Sequence, residues 1–315
     1  MPNKSTFALL AVLWACIGCN PRQAQTPAAE ATPALPVAQT FATSPDFGSY
    51  WYQGKAEVTS YVLEQARYGE MRKGEAVLIF VTEDFSMKKQ VKLDDPEKAG
   101  ADRVPVLKLN LTKKFNTGIY PYSLMQSVFT PVQRGQYPQT LKTTMTVQEW
   151  CGHVYNQLNL TGKSYKLTGY SYFESEGDES ETLEGVFLED EIWTVLRLDP
   201  AALPTGKVKM IPGSLYSRLK HKDIVPTEVE ATRSEENGLA VYSVTYPAAG
   251  RSLTIRYQKE FPYQIESWEE TYPDGWAPDS PKLTTRATLN KRIKLDYWTH
   301  NHNTDAPLRA ELGLQ

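Results

Sequence analysis

The chain has 315 residues, and its four histidines and three cysteines carry most of its nucleophilic and metal-binding potential. Two short segments bring some of them together. In Trp150-Cys151-Gly152-His153, an extended backbone would place Cys151 and His153 on one face. A cysteine nucleophile needs a nearby imidazole to lower its pKa. No orienting third group or oxyanion hole is legible beside the pair, and Gly152 marks a turn or bulge between two strands. The simpler expectation is a buried thiol beside an uninvolved histidine. In His300-Asn301-His302, with Asp305 following, two imidazoles and a carboxylate form a set that transition metals accept. A structural site wants four ligands, and only His153 and His221 remain to add nitrogen, so no metal or other cofactor is expected. The run Glu174, Glu176, Asp178, Glu179, Glu181 and Glu184 clusters carboxylates as calcium prefers, but it lacks the D-x-[DN]-x-[DN]-G order of a calcium loop. It reads as a solvated hairpin tip. Arg286, Lys291, Arg292 and Lys294 could meet an anionic lipid or glycan. More simply they form the wet face of the last strand, whose lysines guard against edge pairing. The motifs G-x-S-x-G, Walker A, H-E-x-x-H and G-x-G-x-x-G are absent from the sequence. No catalytic residue is named, although a carboxylate pair would leave no local signature.

Cys16 and Cys19 follow Lys4 and an apolar run from Phe7 to Gly18. That run is shorter than the roughly 20 residues a membrane span takes and has the size of the apolar region of a secretory signal. A bacterial lipobox reads Leu-like, small, Gly or Ala, then Cys. Ile17 and Gly18 fit ahead of Cys19, with Cys16 as the misfit; ahead of Cys16, Trp14 is the misfit between Leu13 and Ala15. Polar Asn20 and Pro21 favour Cys19. The expectation is a signal peptide over residues 1–18 and a fatty-acyl (palmitate) anchor on Cys19; the alternative is a plain secretory signal with incidental cysteines. With Cys16 removed and Cys19 acylated, Cys151 has no partner for an intrachain disulfide. The protein is then exported to the bacterial cell envelope and held to a membrane, on its periplasmic or surface face.

The elements that would position these residues read as β. Residues 19–45 are rich in Pro, Ala, Thr and Gln and lack hydrophobic periodicity, so they are expected to form a disordered tether. Aromatics begin abruptly with Phe47, Tyr50, Trp51 and Tyr52, placing the folded body at 46–303 and a C-terminal tail at 304–315. Period-2 alternation sets Leu107, Leu109 and Leu111 on one face, then Leu141, Thr143, Met145 and Val147, then Leu253, Ile255 and Tyr257. The longest case sets Leu283, Ala287, Leu289, Ile293 and Leu295 against Thr284, Arg286, Thr288, Asn290, Arg292 and Lys294. Turn signals fall at Arg72-Lys73-Gly74, Asp94-Asp95-Pro96, Asn116-Thr117-Gly118, Arg134-Gly135, Thr161-Gly162, Glu176-Gly177-Asp178, Glu236-Asn237-Gly238 and Pro273-Asp274-Gly275. One segment, Glu189–Arg197, reads as a helix with Ile192, Val195 and Leu196 on its apolar side. With 18 Tyr, 10 Phe and 7 Trp the aromatics lean the same way. The fold expectation is all-β: one large curled antiparallel sheet, an open barrel or sandwich-like meander, with one or two short helices. A break near residues 200–226 could divide it, and a continuous sheet is preferred.

The stretches Tyr50-Trp51-Tyr52-Gln53-Gly54-Lys55-Ala56-Glu57, Gln65-Ala66-Arg67-Tyr68-Gly69-Glu70, Ala76-Val77-Leu78-Ile79-Phe80-Val81-Thr82-Glu83-Asp84-Phe85 and Lys113-Lys114-Phe115-Asn116-Thr117-Gly118-Ile119-Tyr120-Pro121-Tyr122 resemble an uncharacterised family of bacterial envelope lipoproteins. Some of its members are labelled septum-formation inhibitors of the Maf type. Maf proteins are nucleotide pyrophosphatases of α/β fold opening on S-x-S-P-R-R; this chain has only Ser280-Pro281-Lys282, elsewhere, within a β pattern. The resemblance therefore implies a lipidated envelope protein and carries over no catalytic residue. A net charge of −3 offers no broad basic field for nucleic acid. The functional expectation is a non-enzymatic envelope lipoprotein, a partner of the membrane through its lipid, whose β-sheet binds a hydrophobic small molecule or an envelope protein. The alternatives are a hydrolase of envelope polymers and a structural or assembly lipoprotein.

Overall fold

A computed structural model describes residues 44–275, 277 and 279–314. The expected signal peptide, Cys16, Cys19 and the tether up to residue 43 lie outside the described residues. In the first half of the body an antiparallel meander runs through β1 (Ala56–Arg67), β2 (Glu70–Ser86), β3 (Arg103–Thr117), β4 (Tyr120–Pro131), β5 (Lys142–Glu149), β6 (Gly152–Thr161), β7 (Ser164–Ser171) and β8 (Asp178–Glu184). The second half comprises β9 (Phe187–Leu188), β10 (Gly206–Ile211), β11 (Thr227–Glu236), β12 (Leu239–Tyr246), β13 (Arg251–Tyr257), β14 (Ile265–Pro273) and β15 (Lys282–Leu295). It meanders back until β15 pairs with β1. One continuous 15-stranded sheet results, and only the short β9–β10 pair is parallel. Its two free edges, β8 and β9, are consecutive in the chain.

The sheet curls because both halves bury their inner faces on the same core. Leu107, Leu109 and Leu111 of β3, Met145 and Val147 of β5, and Leu253, Ile255 and Tyr257 of β13 all point into it, as their alternation predicts. At its centre lies α2 (Ile192–Leu198), in which every residue is buried. The predicted helix exists, but it is enclosed on all sides instead of presenting one apolar face. The seam between the two ends of the sheet is closed by side chains: Leu158, Tyr165, Leu167 and Leu183 pack with Leu188, Ile211 and Ile224. Lys209 also reaches Glu184 at 3.1 Å across it. The short helices α1 (Phe47–Trp51) and α3 (Ser214–Lys220) add Phe47, Trp51, Leu215 and Leu219 to the core.

Four sequence expectations need correction. Arg72-Lys73-Gly74 lies inside β2; the turn is Tyr68-Gly69, both at positive φ. Gly74 is required there for close approach, since a Cβ would fall on the Lys114 carbonyl. The alternation along β15 changes face at a bulge opposite Ser60/Tyr61. Ala287 and Leu289 join the inner core, whereas Ile293 and Leu295 join an outer cluster with Ala56, Val58 and Val77. β15 is not an edge, because it pairs with both β1 and β14, so its lysines guard nothing. The acidic run is a hairpin turn only to Gly177; from Asp178 it is the edge strand β8, whose carboxylates discourage pairing with another chain. At the C-terminus, α4 (Pro307–Glu311) leads to Leu312, which is buried in the outer cluster and whose carbonyl accepts the Ser60 hydroxyl.

Candidate functional site

A groove of about 580 Å³ opens on the outer surface where β2 ends and β3 begins. Three chain segments build it. The loop between β2 and β3 supplies Leu93 and Pro96 and is held by Asp102, whose carboxylate accepts the Ser86 hydroxyl at 2.7 Å and the Lys88 amide at 2.8 Å. Behind α1, Tyr52 projects into the groove, 56% exposed. Its position follows from Trp51, which is buried in the core and whose carbonyl accepts the Thr82 hydroxyl at 3.0 Å. The turn Tyr297–Thr299 after β15 contributes Trp298, 46% exposed. Two exposed aromatics thus face aliphatic and proline surface, the composition of a ligand cleft.

Charge surrounds that apolar surface. Glu83 accepts from Lys108 at 2.6 Å and lies 3.7 Å from Lys92; Asp84 pairs with Arg103 at 2.8 Å. Burial and the Asp84 charge raise the Tyr52 phenol above its ordinary pKa, so it stays a neutral donor. Each carboxylate already has a cation, which suits holding a polar group better than removing a proton. Beneath the groove, the Trp51 ring lies 4.9 Å from the Arg197 guanidinium. Arg197 forks onto Glu57 at 2.6 and 2.8 Å. Burial alone would raise Glu57, yet the Arg197 charge and hydrogen bonds hold it down at about 2.

Deeper in the core, Arg251 joins Glu189 and Glu270 in one buried cluster, its guanidinium 4.1 Å from the Tyr216 ring. The neighbouring Asp190 accepts the Ser214 amide at 3.0 Å and bonds the Ser214 hydroxyl. Burial pushes its carboxyl up to about 7, with the Glu189 charge adding to the rise. Lys113 faces the same cluster from β3, and burial lowers its pKa. These groups are cemented into the core around α2 and α3.

The residues singled out from sequence are dispersed. Cys151 is exposed at the tip between β5 and β6, not buried. Its amide donates to Glu149 at 2.7 Å, and that carboxylate raises the thiol pKa, the opposite of nucleophile activation. His153 stands on the outer face of β6. His300 lies 3.6 Å from Asp296 and 3.5 Å from Asp305, while the His302 amide donates to Asp305 at 2.9 Å as a turn cap. Among the described residues no group of three or more His, Cys, Asp or Glu side chains is arranged to hold a metal ion. Arg286 pairs with Glu269, Arg292 donates to the Ile265 carbonyl at 2.8 Å, and Lys294 sits over the Tyr50 ring. Sequence reasoning missed Tyr52 and Trp298 as a pair, since they meet only because β15 returns to β1. The one legible signal was their place in aromatic clusters, Tyr50-Trp51-Tyr52 and Tyr297-Trp298, that break the strand alternation.

No family model matches the chain, and no curated protein matches it. Among solved structures it is similar to a β-barrel-like protein of a domain of unknown function, DUF1849, from Brucella abortus. The identity is 9% over 76% of this chain and 98% of that one, at a TM-score of 0.45. It is more distantly similar to Aeromonas veronii immune modulator A, 10% identical over 75% of this chain and 93% of that one, at a TM-score of 0.14. Among the described residues no helix is long and apolar enough to cross a membrane.

Proposed function

We propose that this protein is an exported envelope lipoprotein, anchored through an acylated Cys19, that binds a ligand without transforming it. The carrying observation is the groove between Tyr52 and Trp298. The concave side of the sheet is filled by α2 and its partners, so the ligand lies on the outside, at that groove. Its chemistry is amphiphilic. An apolar part packs on Trp298, Tyr52, Val81 and Leu93, and a polar head meets Lys55 and Arg103 at the rim. The paired state of Glu83 and Asp84 favours binding over hydrolysis. Native mass spectrometry and solvent extraction of the full-length protein from its own membranes test this. The expected result is a near-stoichiometric amphiphile that Trp298→Ala loses. An empty wild-type protein, or a ligand equally retained by the variant, overturns it.

A further inference from the structure

The two halves of the sheet treat solvent differently. On the outer face of the second half, charged side chains interlock: Arg256 with Glu236 at 2.9 Å and Glu269 at 3.3 Å, and Arg286 with Glu269 at 2.9 Å. That is the ordinary way to solvate a sheet face. On the first half, register aligns Asn110, Ser127, Thr144, Gln157, Thr168 and Ser180 in one row across β3 to β8. The next row runs Thr112, Met125, Thr146, Tyr155, Tyr170, Asp178. No outward position of β4 to β7 carries a carboxylate; the one acid on these strands, Glu149, is buried inward.

Aromatic rings cross this face, whose outward charges on β4 to β7 are Lys142 and Lys166. Tyr155 and Tyr170 are directly opposed on β6 and β7, and the Tyr155 hydroxyl donates to Gln157 at 2.8 Å. Just past β7, Tyr172 is 62% exposed, and Trp150 at the adjacent hairpin tip is 68% exposed. The tip fits against Tyr172 because residue 152 is glycine: a Cβ there would lie 2.6 Å from the ring. Tyr172 packs on Phe173 and Trp150 on Tyr120, beyond the ladder; the rings within the hydroxyl and amide ladder are the opposed pair Tyr155 and Tyr170.

We propose that the outer face of β4 to β8 binds a glycan chain. Sugar rings stack their apolar faces on Tyr155 and Tyr170, and their hydroxyls exchange hydrogen bonds with Thr144, Thr146, Gln157 and Thr168. Hydroxyl and amide side chains both donate and accept, which matches a neutral polyhydroxylated chain. Charge decides between partners. Nucleic acid needs a cationic track, and an anionic bilayer needs basic residues around an apolar face; the outward charges of β4 to β7 are two lysines, Lys142, which donates to the Gln90 carbonyl, and Lys166, too few for either, with the carboxylates of β8 along one side. The site lies away from the groove and does not depend on its ligand.

The test uses full-length protein in detergent, co-sedimented with purified peptidoglycan sacculi and with chitin, and titrated with chitohexaose by tryptophan fluorescence. Wild-type protein is expected to bind at least one of these polymers, and Tyr170→Ala to weaken that binding at least tenfold. Tyr170 is exposed, so unchanged thermal melting shows that the variant folds. Thr168→Glu, which puts a charge in the ladder, is a second variant with the same expected loss, and Trp298→Ala in the groove is expected to bind the glycan normally. No wild-type binding to any of the three glycans, or equal binding by the tyrosine and Thr168 variants, overturns the proposal. So does binding only to phosphatidylglycerol vesicles.

Discussion

Asp190→Asn is expected to stabilise the protein at neutral and alkaline pH and to do nothing at pH 4. Asp190 is buried, beside Glu189, and its carboxyl titrates at about 7 in the folded chain against 3.8 as the ordinary value. A carboxyl whose folded pKa lies above its unfolded one binds a proton more tightly when folded. Its contribution is therefore fully present below pH 3.8 and is lost as pH rises through 7. The gap between the two values is worth about 4 kcal/mol. Asparagine mimics the neutral acid. Its carbonyl keeps the Ser214 amide, now 3.0 Å from the carboxylate, and its amide can donate to the Ser214 hydroxyl. Urea unfolding of both proteins at several pH values from 4 to 8.5 isolates the effect, because every other acid titrates in both. The variant is expected to gain about 2–4 kcal/mol at pH 8 and nothing at pH 4. A gap that stays flat with pH, or a variant less stable at pH 8, refutes the account of Asp190 as a carboxyl kept neutral by burial and by Glu189.

Two further outcomes are expected. Cys19→Ala abolishes incorporation of labelled palmitate and releases the protein from membranes, whereas acylation that persists in the variant rules out Cys19 as the anchor. Cys151, although exposed, is expected to react slowly with iodoacetamide at pH 7 and faster only as pH rises above the ordinary thiol range, because Glu149 disfavours the thiolate; Glu149→Gln is expected to speed alkylation at neutral pH.

What was legible depended on whether a signal was local. The strands with unbroken alternation, around Leu107, Met145 and Ile255, carry their inward faces in sequence because a strand's side-chain period is two. The helix after Glu189 was legible from its acids and its apolar spacing. The bulge in β15 was not, since an extra residue leaves no mark in composition yet moves Ile293 and Leu295 to the opposite face. Gly74 misled because a glycine needed for close packing in β2 looks the same as one needed for a turn. The buried pairs were invisible for a different reason. Glu57 and Arg197, or Glu189 and Arg251, are far apart along the chain, and each reads as a surface charge until the sheet closes around α2. The glycan-type face shares this property, because its rows exist only once six strands are in register.

The buried ion pairs around α2 act on geometry more than on net stability. A 15-stranded sheet with no backbone ladder across its seam could curl more or less tightly; α2 sets how tightly. Glu57 of β1 meets Arg197 at one end of the helix, and Arg134 and Thr140 from the β4–β5 connection meet Glu191 just before it, at 3.2 and 2.6 Å. Breaking one such pair leaves a buried charge without its partner, so Glu57→Gln is expected to cost about 3–5 kcal/mol in urea unfolding. Replacing both partners with apolar side chains removes the desolvation cost as well, and Glu57→Leu/Arg197→Met is expected to recover most of that loss. The double variant is still expected to bind the groove ligand more weakly, because Trp51, which carries Tyr52 into the groove, would no longer have the guanidinium 4.9 Å from its ring. Recovered stability together with undiminished binding would show that α2 positions nothing outside the core, and that the groove is set by the β2–β3 loop alone.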